Sequence, residues 1–178
     1  MKLMPFCILK LFFMFSIPFV LFDFSDNSDL ESWKIIDDVV MGGRSNGNFM
    51  INKNGNGFFY GTISLKNNGG FSSVRYNLKE LDITSFAKIV IRVKGDGKTY
   101  QFRIKDNLSK YYSFVKQIKT TGKWEFIQIQ LKDLYPVFRG NRVNMGNFSS
   151  NTIAQIAFLF GNKKAESFQL EIDKIYLE

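Results

Sequence analysis

Short apolar runs broken by Gly, Asn and Asp dominate the chain beyond residue 20. Hydrophobic and polar residues alternate within many of these runs, which is typical of strands, and no long stretch shows the period of a helix. Many short strands at regular spacing predict an all-β sandwich or barrel, with no linker or internal repeat. The predicted strands are residues 19–24, 33–37, 49–52, 58–65, 72–77, 88–94, 100–105, 112–116, 125–131, 153–160 and 168–177.

Turn-forming residues separate the predicted strands. The clearest signals combine Gly with Asn, Asp or Thr, because these residues accept the backbone conformations of tight turns. The longest irregular stretch, residues 135–151, predicts a loop with room for one helical turn. The predicted turns are residues 46–47, 54–57, 67–70, 95–97, 121–122 and 161–162.

The turn at residues 95–98 predicts a hairpin between the strands on either side of it. In that register Arg92 lies opposite Gln101, and side chains alternate between the two faces of the ribbon. One face is apolar and predicts core: Ile89, Ile91, Val93, Tyr100, Phe102 and Ile104. The other face carries four cations: Arg92, Lys94, Arg103 and Lys105. A solvated sheet face is the default interpretation of this charge, and a basic binding face is the alternative.

Residues 1–19 have the pattern of a signal peptide. Lys2 and Lys10 precede an apolar run at residues 11–22, and this run is shorter than the about 20 residues that span a bilayer. No small-residue cleavage site follows, and part of the run fits the first strand equally well. The pattern slightly favours export to the cell envelope over retention in the cytoplasm. We predict a single domain over residues 20–178 and no transmembrane span.

The composition excludes several kinds of chemistry. The chain contains no His, which removes imidazole bases and nearly all catalytic zinc sites. Its one Cys, Cys7, leaves no intrachain disulfide and no thiolate cluster. We therefore predict a protein without enzymatic activity, cofactor or metal. A hydrolase that uses two carboxylates is the less favoured alternative, because no acidic pair is marked by its spacing.

The formal net charge is +8, which favours an acidic partner. The basic residues are spread along the chain and form no run of five, so a nucleic acid is not the expected partner. Gly95-Asp96-Gly97 is first a turn, in which Asp96 could pair with Arg92 or Arg103.

The stretch of residues 37–45 is the most unusual in the sequence. Two acids precede an apolar triplet and two glycines, which suits a strand that ends in a tight turn. A phosphate-binding loop would need a helix after the glycines, and no helical pattern follows them. The glycines predicted to form turns are Gly42, Gly43, Gly69, Gly70, Gly95 and Gly97.

The order of these blocks resembles one protein family. The blocks are Trp33, residues 38–45, Gly61, residues 64–65, residues 67–75, residues 92–97, Tyr100 and Arg103. This order is similar to that of the complex I intermediate-associated protein 30 family, over roughly residues 20–178. The blocks at 40–45 and 67–75 are specific when they occur together. Asp37 is a minor departure, because Asn is often expected there.

The resemblance implies a two-sheet jelly-roll β-sandwich similar to galactose-binding-like domains. It also implies an assembly factor that acts as a chaperone for respiratory complex I and has no catalytic role. The implied partners are protein subunits of a respiratory or other membrane complex. Fold transfers from such a resemblance better than function does.

Two binding hypotheses follow. In the first, the chain binds protein subunits as an assembly factor. In the second, it binds a carbohydrate or small ligand through arginines that Asp38 or Asp96 orients. Several aromatic residues could stack on sugars, although packing is the default for each: Trp33, Tyr111, Tyr112 and Trp124. The predicted binding residues are Asp38, Arg44, Ser45, Arg75, Arg92, Asp96 and Arg103.

Overall fold

A computed structural model describes residues 17–178, which form two antiparallel β-sheets packed face to face. The strands of this part are β1 (Phe19–Asp23), β2 (Trp33–Asp37), β3 (Asn46–Ile51), β4 (Gly57–Thr62), β5 (Ser72–Asp82), β6 (Lys88–Lys94), β7 (Thr99–Lys105), β8 (Ser113–Lys119), β9 (Glu125–Gln130), β10 (Tyr135–Phe138), β11 (Asn141–Arg142), β12 (Thr152–Phe160) and β13 (Ser167–Leu177). Short 3-10 turns lie at Asp38–Met41, Lys66–Asn68 and Leu131–Asp133.

The predicted all-β fold is confirmed, and a strand occurs at each predicted position. Residues 1–16, which include Cys7 and most of the predicted signal peptide, lie outside the described residues. Within residues 17–178, no helix has the length and apolar character needed to cross a membrane.

The first sheet has six strands. Its order is β3-β4-β13-β6-β9, and β1 also pairs with β13. Strand β13 is therefore central: β6 pairs along one side of it, while β4 and β1 pair along the other. The second sheet has seven strands in the order β11-β10-β8-β7-β12-β5-β2.

The core lies between the sheets and follows the alternation of each strand. Ile91 of β6 and Phe102 of β7 are fully buried, as is Phe158 of β12. Residues at the neighbouring positions point outward, because successive side chains of a strand face opposite sides of a sheet. A group of aromatic rings closes one end of this core, where Trp33 stacks on Tyr76 with their ring centres 4.9 Å apart.

The predicted hairpin between β6 and β7 is wrong. Strand β6 pairs with β9 and β13 in the six-stranded sheet, whereas β7 pairs with β8 and β12 in the seven-stranded sheet. Residues 95–98 cross from one sheet to the other, and the Gly97 N–H donates to Thr120 Oγ1 at 3.1 Å. A side chain on Gly95 would collide with Thr120, since a Cβ there would lie 2.3 Å from Oγ1. The apolar faces of β6 and β7 thus meet across the core.

Two smaller predictions are also corrected. Residues 135–151, predicted as a loop with a helical turn, contain the short paired strands β10 and β11. The helical turn lies just before them, at Leu131–Asp133. The predicted turn at residues 46–47 is the beginning of β3, where Gly47 lies opposite Gly61.

Candidate functional site

Asp38 is a buried structural carboxylate at the end of β2. Its Oδ1 accepts a hydrogen bond from the Ser45 N–H at 2.9 Å, and its Oδ2 accepts one from Ser45 Oγ at 2.5 Å. Oδ2 also accepts from the backbone N–H groups of Gly70 at 2.5 Å and Phe71 at 3.3 Å. Burial alone would raise the pKa of Asp38, but these hydrogen bonds together outweigh it, so that the pKa lies below its ordinary value.

Asp38 explains why two distant blocks of the sequence are rich in glycine. A Cβ on Gly43 would lie 2.2 Å from Asp38 Oδ1, and a Cβ on Gly69 would lie 2.5 Å from Oδ2. The carboxylate therefore holds the loop before β3 against the loop before β5, and both loops approach it too closely for a side chain. Among the described residues, its hydrogen bonds go to Ser45, Gly70 and Phe71 and to none of the predicted arginines. The prediction that Asp38 orients those arginines is wrong.

Asp96 also has a structural role in the crossing between the sheets. Its Oδ2 forms an ion pair with Lys98 Nζ at 2.9 Å, and its Oδ1 accepts from the Tyr100 hydroxyl at 3.0 Å. The Gln169 N–H donates to Oδ2 at 3.2 Å, which ties the crossing to β13. The predicted pairing of Asp96 with Arg92 or Arg103 is therefore wrong.

Arg92 lies on the outer face of the six-stranded sheet, away from the other predicted arginines. It forms an ion pair with Asp173 at 2.9 Å, and its guanidinium lies 4.6 Å from the centre of the Trp124 ring. Arg44 is exposed in the loop before β3. The structure thus separates Arg92 from Arg75 and Arg103, which lie in the other sheet.

Arg75 and Arg103 come together on the outer face of the seven-stranded sheet. Arg75 on β5 and Arg103 on β7 both lie opposite Ala157 of the intervening strand β12. Arg75 Nε donates to Ser73 Oγ at 3.1 Å, whereas Arg103 Nε is buried without a hydrogen-bond partner among the described residues. Within residues 17–178, neither arginine forms an ion pair with Asp or Glu.

Lys105 completes a cluster of cations with these two arginines. Burial lowers the pKa of Arg103 to about 10, and the positive charge of Arg75 adds to this effect. Burial likewise lowers the pKa of Lys105, with smaller contributions from Arg75 and Arg103. Lys105 Nζ donates to the backbone carbonyls of Leu108 and Lys110. The positive charge of each of these side chains makes the charge of the others more costly.

The surrounding surface is basic as well. Residues that pair side by side across the strands form rows, which follow one another along the sheet from the row of Lys105 to that of Lys119. The outward-pointing residues of these rows include no Asp or Glu. We call this surface the basic face and define it by its cations: Lys34, Arg75, Arg103, Lys105 and Lys119. None of them forms an ion pair with a carboxylate in the part of the chain that the structure describes.

Several small and apolar residues of the basic face are covered, although they point outward. Ser73, Val115 and Leu159 point outward by their register, yet they are only 1%, 1% and 7% exposed. Tyr135 of β10 lies in the same row as Arg103, and the Arg142 guanidinium lies 5.3 Å from the centre of its ring. A partner would therefore meet mainly the cations and amides of this face, because its small and apolar residues are covered.

The aromatic residues predicted to stack on sugars are divided among different places. Trp33 is 6% exposed and belongs to the core, in agreement with the default interpretation of packing, so it cannot stack on a sugar. Trp124 lies over Arg92 on the six-stranded sheet. Tyr111 is exposed and meets the rings of Tyr112 and Phe138 edge to face.

Two cavities of the described residues contain no basic-face residue in their lining. These shallow cavities, of about 270 and 290 Å³, occur near the connection between β11 and β12. The first is lined by Asp106, whose Oδ2 pairs with Lys110, and by Asn147 and Ser149. No group of three or more His, Cys, Asp or Glu residues suited to a metal ion occurs in residues 17–178. The basic face is therefore the stronger candidate site, because its charges lack internal partners.

Sequence reasoning found only part of this site. It selected Arg75 and Arg103 but assigned Arg103 to a surface shared with Arg92. It missed Lys34 and Lys119, although both alternate with apolar residues of their strands. It also missed Ala157, because only the sheet order shows that a small residue separates the two arginines.

The fold is an antiparallel two-sheet jelly-roll β-sandwich that resembles galactose-binding-like domains. The chain belongs to the complex I intermediate-associated protein 30 family, whose model matches residues 22–172. It is 24% identical over 179 residues to the mouse protein named "Complex I intermediate-associated protein 30, mitochondrial". That alignment covers 88% of this chain and 55% of the mouse protein, so the chain spans about half the length of this relative.

Solved structures confirm the fold. A family 11 carbohydrate-binding module from Clostridium thermocellum, solved with a β-1,3-1,4-mixed-linked tetrasaccharide, is similar with a TM-score of 0.66. The match is 19% identical and covers 90% of this chain and 94% of the module. An exo-β-agarase matches with a TM-score of 0.57 and 15% identity, over 90% of this chain and 25% of the agarase.

Proposed function

We propose that this chain is a non-catalytic binding module that attaches to an acidic segment of a subunit of a respiratory or other membrane complex. The contact is the basic face. The observation that carries the proposal is the pair Arg75 and Arg103, which is half-buried on the outer face of the sheet without a carboxylate partner in residues 17–178.

The energetic argument concerns buried positive charge. A guanidinium that is partly removed from water loses hydration, and it regains stability only through an anion or a hydrogen-bond acceptor. Asp38 and Asp96 cannot supply that anion, because their oxygens are bonded elsewhere. An acidic partner would supply it, and its carboxylates would form charge-assisted hydrogen bonds with Arg75 and Arg103.

Family membership supports the kind of partner. The mouse relative is named for its association with an intermediate of complex I. The alignment covers only 55% of that relative. That this chain has the same association is therefore part of our proposal. The absence of His from the whole sequence agrees with a binding role, since imidazole catalysis is excluded.

Site-specific crosslinking in the native organism tests this proposal. A photoreactive amino acid at Gln101 would report on the basic face, and one at Gln128 would report on the outer face of the six-stranded sheet. We expect Gln101, and not Gln128, to yield crosslinks to identified subunits of a membrane complex. Products common to both positions would count against the basic face.

Charge reversal supplies the matched comparison. The double variant Arg75→Glu/Arg103→Glu should abolish the crosslinks from Gln101. The control Arg92→Glu/Lys94→Glu makes the same change of charge on the other sheet and should preserve them. A deletion strain with normal assembly and activity of its respiratory complexes would rule out the assembly role.

Carbohydrate binding is the second candidate function. It is favoured by the amide side chains of Gln101, Gln117 and Gln155, which share the outward rows of the basic face and can hydrogen-bond to hydroxyl groups. A thermal shift against a panel of neutral and acidic glycans tests it. Absence of a shift at millimolar glycan would count heavily against this candidate.

A further inference from the structure

The row formed by Arg75, Ala157 and Arg103 has the dimensions of a small clamp. Neighbouring strands lie about 4.8 Å apart, so the Cα atoms of the two arginines are about 10 Å apart across β12. The only side chain between them in this row is the methyl group of Ala157. Ala157 is only 3% exposed, so the longer side chains beside it cover this floor, and a carboxylate reaches it only when those side chains turn aside.

The two arginines are prepared for a ligand in different ways. Ser73 Oγ accepts from Arg75 Nε at 3.1 Å and itself donates to the Ile36 carbonyl at 3.2 Å. Ser73 therefore orients Arg75 while leaving its terminal nitrogens available. Arg103 Nε, by contrast, is buried without a partner among the described residues. A buried donor of this kind is costly unless an acceptor reaches it.

We infer that the Arg75–Ala157–Arg103 row binds one carboxylate group, donated by an Asp or Glu side chain of the partner. The inference rests on the proposed function and specifies its central contact. One carboxylate oxygen accepts from Arg103, and the other accepts from the terminal nitrogens of Arg75. The planar fork of each guanidinium matches the two oxygens of a carboxylate.

The arrangement of the other cations favours a carboxylate over a more highly charged anion. Lys105 Nζ is held by the carbonyls of Leu108 and Lys110, which leaves two guanidinium groups for the ligand in this row. Lys34 lies beside Arg75, and Lys119 lies at the far end of the face. Single positive charges spread across a sheet suit single negative charges spread along an acidic segment better than one concentrated dianion.

A hexaglutamate peptide is the probe for this inference, with hexaglutamine as the uncharged control. In spectra of protein labelled with ¹⁵N at arginine, the Nε–H signals of Arg75 and Arg103 should shift with hexaglutamate, and that of Arg92 should not. Arg103→Gln should weaken binding by about tenfold or more, whereas Arg92→Gln should change it by less than about twofold.

Ala157→Leu provides a second variant that keeps both arginines. The larger side chain fills the floor of the clamp and should weaken hexaglutamate binding by about tenfold, while the Nε–H signals remain visible. If this variant does not fold, Arg103→Gln still decides the question. The inference is overturned if Arg103→Gln binds hexaglutamate as the wild type does, if hexaglutamine produces the same shifts, or if sulfate at equal ionic strength binds more tightly than hexaglutamate.

The outcomes separate this inference from the proposed function. If hexaglutamate binds at the row but charge reversal leaves the crosslinks from Gln101 intact, the clamp stands and the proposed function fails. If the crosslinks depend on the basic face but Arg103→Gln has no effect on hexaglutamate, the proposed function stands and the clamp fails.

Discussion

On the outer face of the six-stranded sheet, each Lys or Arg in a strand has a carboxylate partner, whereas the basic face of the seven-stranded sheet has none among residues 17–178. The pairs on the six-stranded sheet are Lys88–Glu178 at 2.8 Å, Arg92–Asp173 at 2.9 Å, Lys94–Glu171 at 3.2 Å and Lys174–Asp23 at 2.8 Å. The two faces belong to one sandwich and differ mainly in the placement of acids. The chain therefore compensates positive charge where the surface faces solvent and leaves it uncompensated where we propose a partner binds.

The comparison also shows which face carries information about function. Exposed ion pairs contribute only about 0–1 kcal/mol each, so the paired face is an ordinary solvated surface. Clustered cations without partners lower stability, and such a cost is a common property of binding sites. For this reason the basic face says more about function than the outer face of the six-stranded sheet.

The largest expected effect concerns Asp38, which fixes the loops that lead into both sheets. Asp38→Ala leaves several buried N–H and O–H donors without an acceptor, so the free energy of unfolding should fall by roughly 3–5 kcal/mol. Urea denaturation at neutral pH measures this change. Asp29→Asn, which alters an exposed carboxylate, is the control and should stay near the wild-type value.

The pH dependence of the same variant has a defined sign. The pKa of Asp38 is lowered in the folded protein, so its stabilisation is present above the unfolded pKa of about 3.9 and is lost as the pH falls through the folded pKa. The difference between wild type and Asp38→Ala should be constant above about pH 5 and should narrow below about pH 4. A difference that grows on acidification would contradict this account.

The next largest effect tests whether the unpaired charge of the basic face lowers stability. Arg103→Met removes an uncompensated charge but keeps most of the side-chain volume, so it should stabilise the free protein by about 1–2 kcal/mol. Arg92→Met removes a charge that Asp173 compensates and should be neutral or destabilising by up to about 1 kcal/mol. Thermal unfolding of both variants in parallel measures the contrast. If Arg103→Met is destabilised as much as Arg92→Met, the two faces are energetically alike.

A third substitution supplies the missing acid from within the chain. Ala157→Asp places a carboxylate between Arg75 and Arg103, whereas Ala157→Asn has nearly the same shape without the charge. We expect Ala157→Asp to be more stable than Ala157→Asn by about 1 kcal/mol, because charge-assisted hydrogen bonds replace the repulsion. Hexaglutamate should no longer bind to Ala157→Asp. Equal stability of the two variants would mean that the arginines do not act on this position.

The smallest expected effect is the different response of the two faces to salt. Asp173→Asn breaks the ion pair with Arg92 and should cost less than about 1 kcal/mol. Because the pair is partly exposed, this cost should shrink between low and high NaCl. The wild-type basic face should behave in the opposite way, since added salt screens its repulsion and stabilises it. Melting temperatures of Asp173→Asn and Arg103→Met over a NaCl series test both statements.

Most of the strands could be predicted because alternation and turn residues are local signals. The strands at 33–37 and 88–94 have the predicted boundaries, and the apolar faces of β6 and β7 are core as expected. Alternation does not specify the neighbouring strand, however. A hairpin and a crossing between sheets give the same pattern of inward and outward residues, so Arg92 and Arg103 were assigned to one surface in error.

The roles of the acids could not be predicted for a similar reason. Asp38 is followed by glycines, which is compatible with a ligand-binding loop and with a buried carboxylate bonded to backbone N–H groups. The contacts that distinguish these two interpretations come from Gly69 and Gly70, which are distant in sequence and meet Asp38 only in the folded chain. The same limit applies to Ala157, whose importance depends on its two neighbours in the sheet.

The central place of β13 has a consequence for synthesis on the ribosome. Strands β1, β4 and β6 emerge well before β13, yet each of them pairs with it in the finished sheet. Until β13 is made, the backbone edges that will receive it remain open, and open edges are the sites of wrong pairing between chains. The nascent protein is thus most vulnerable to aggregation late in translation, and the arrival of a single strand ends that period.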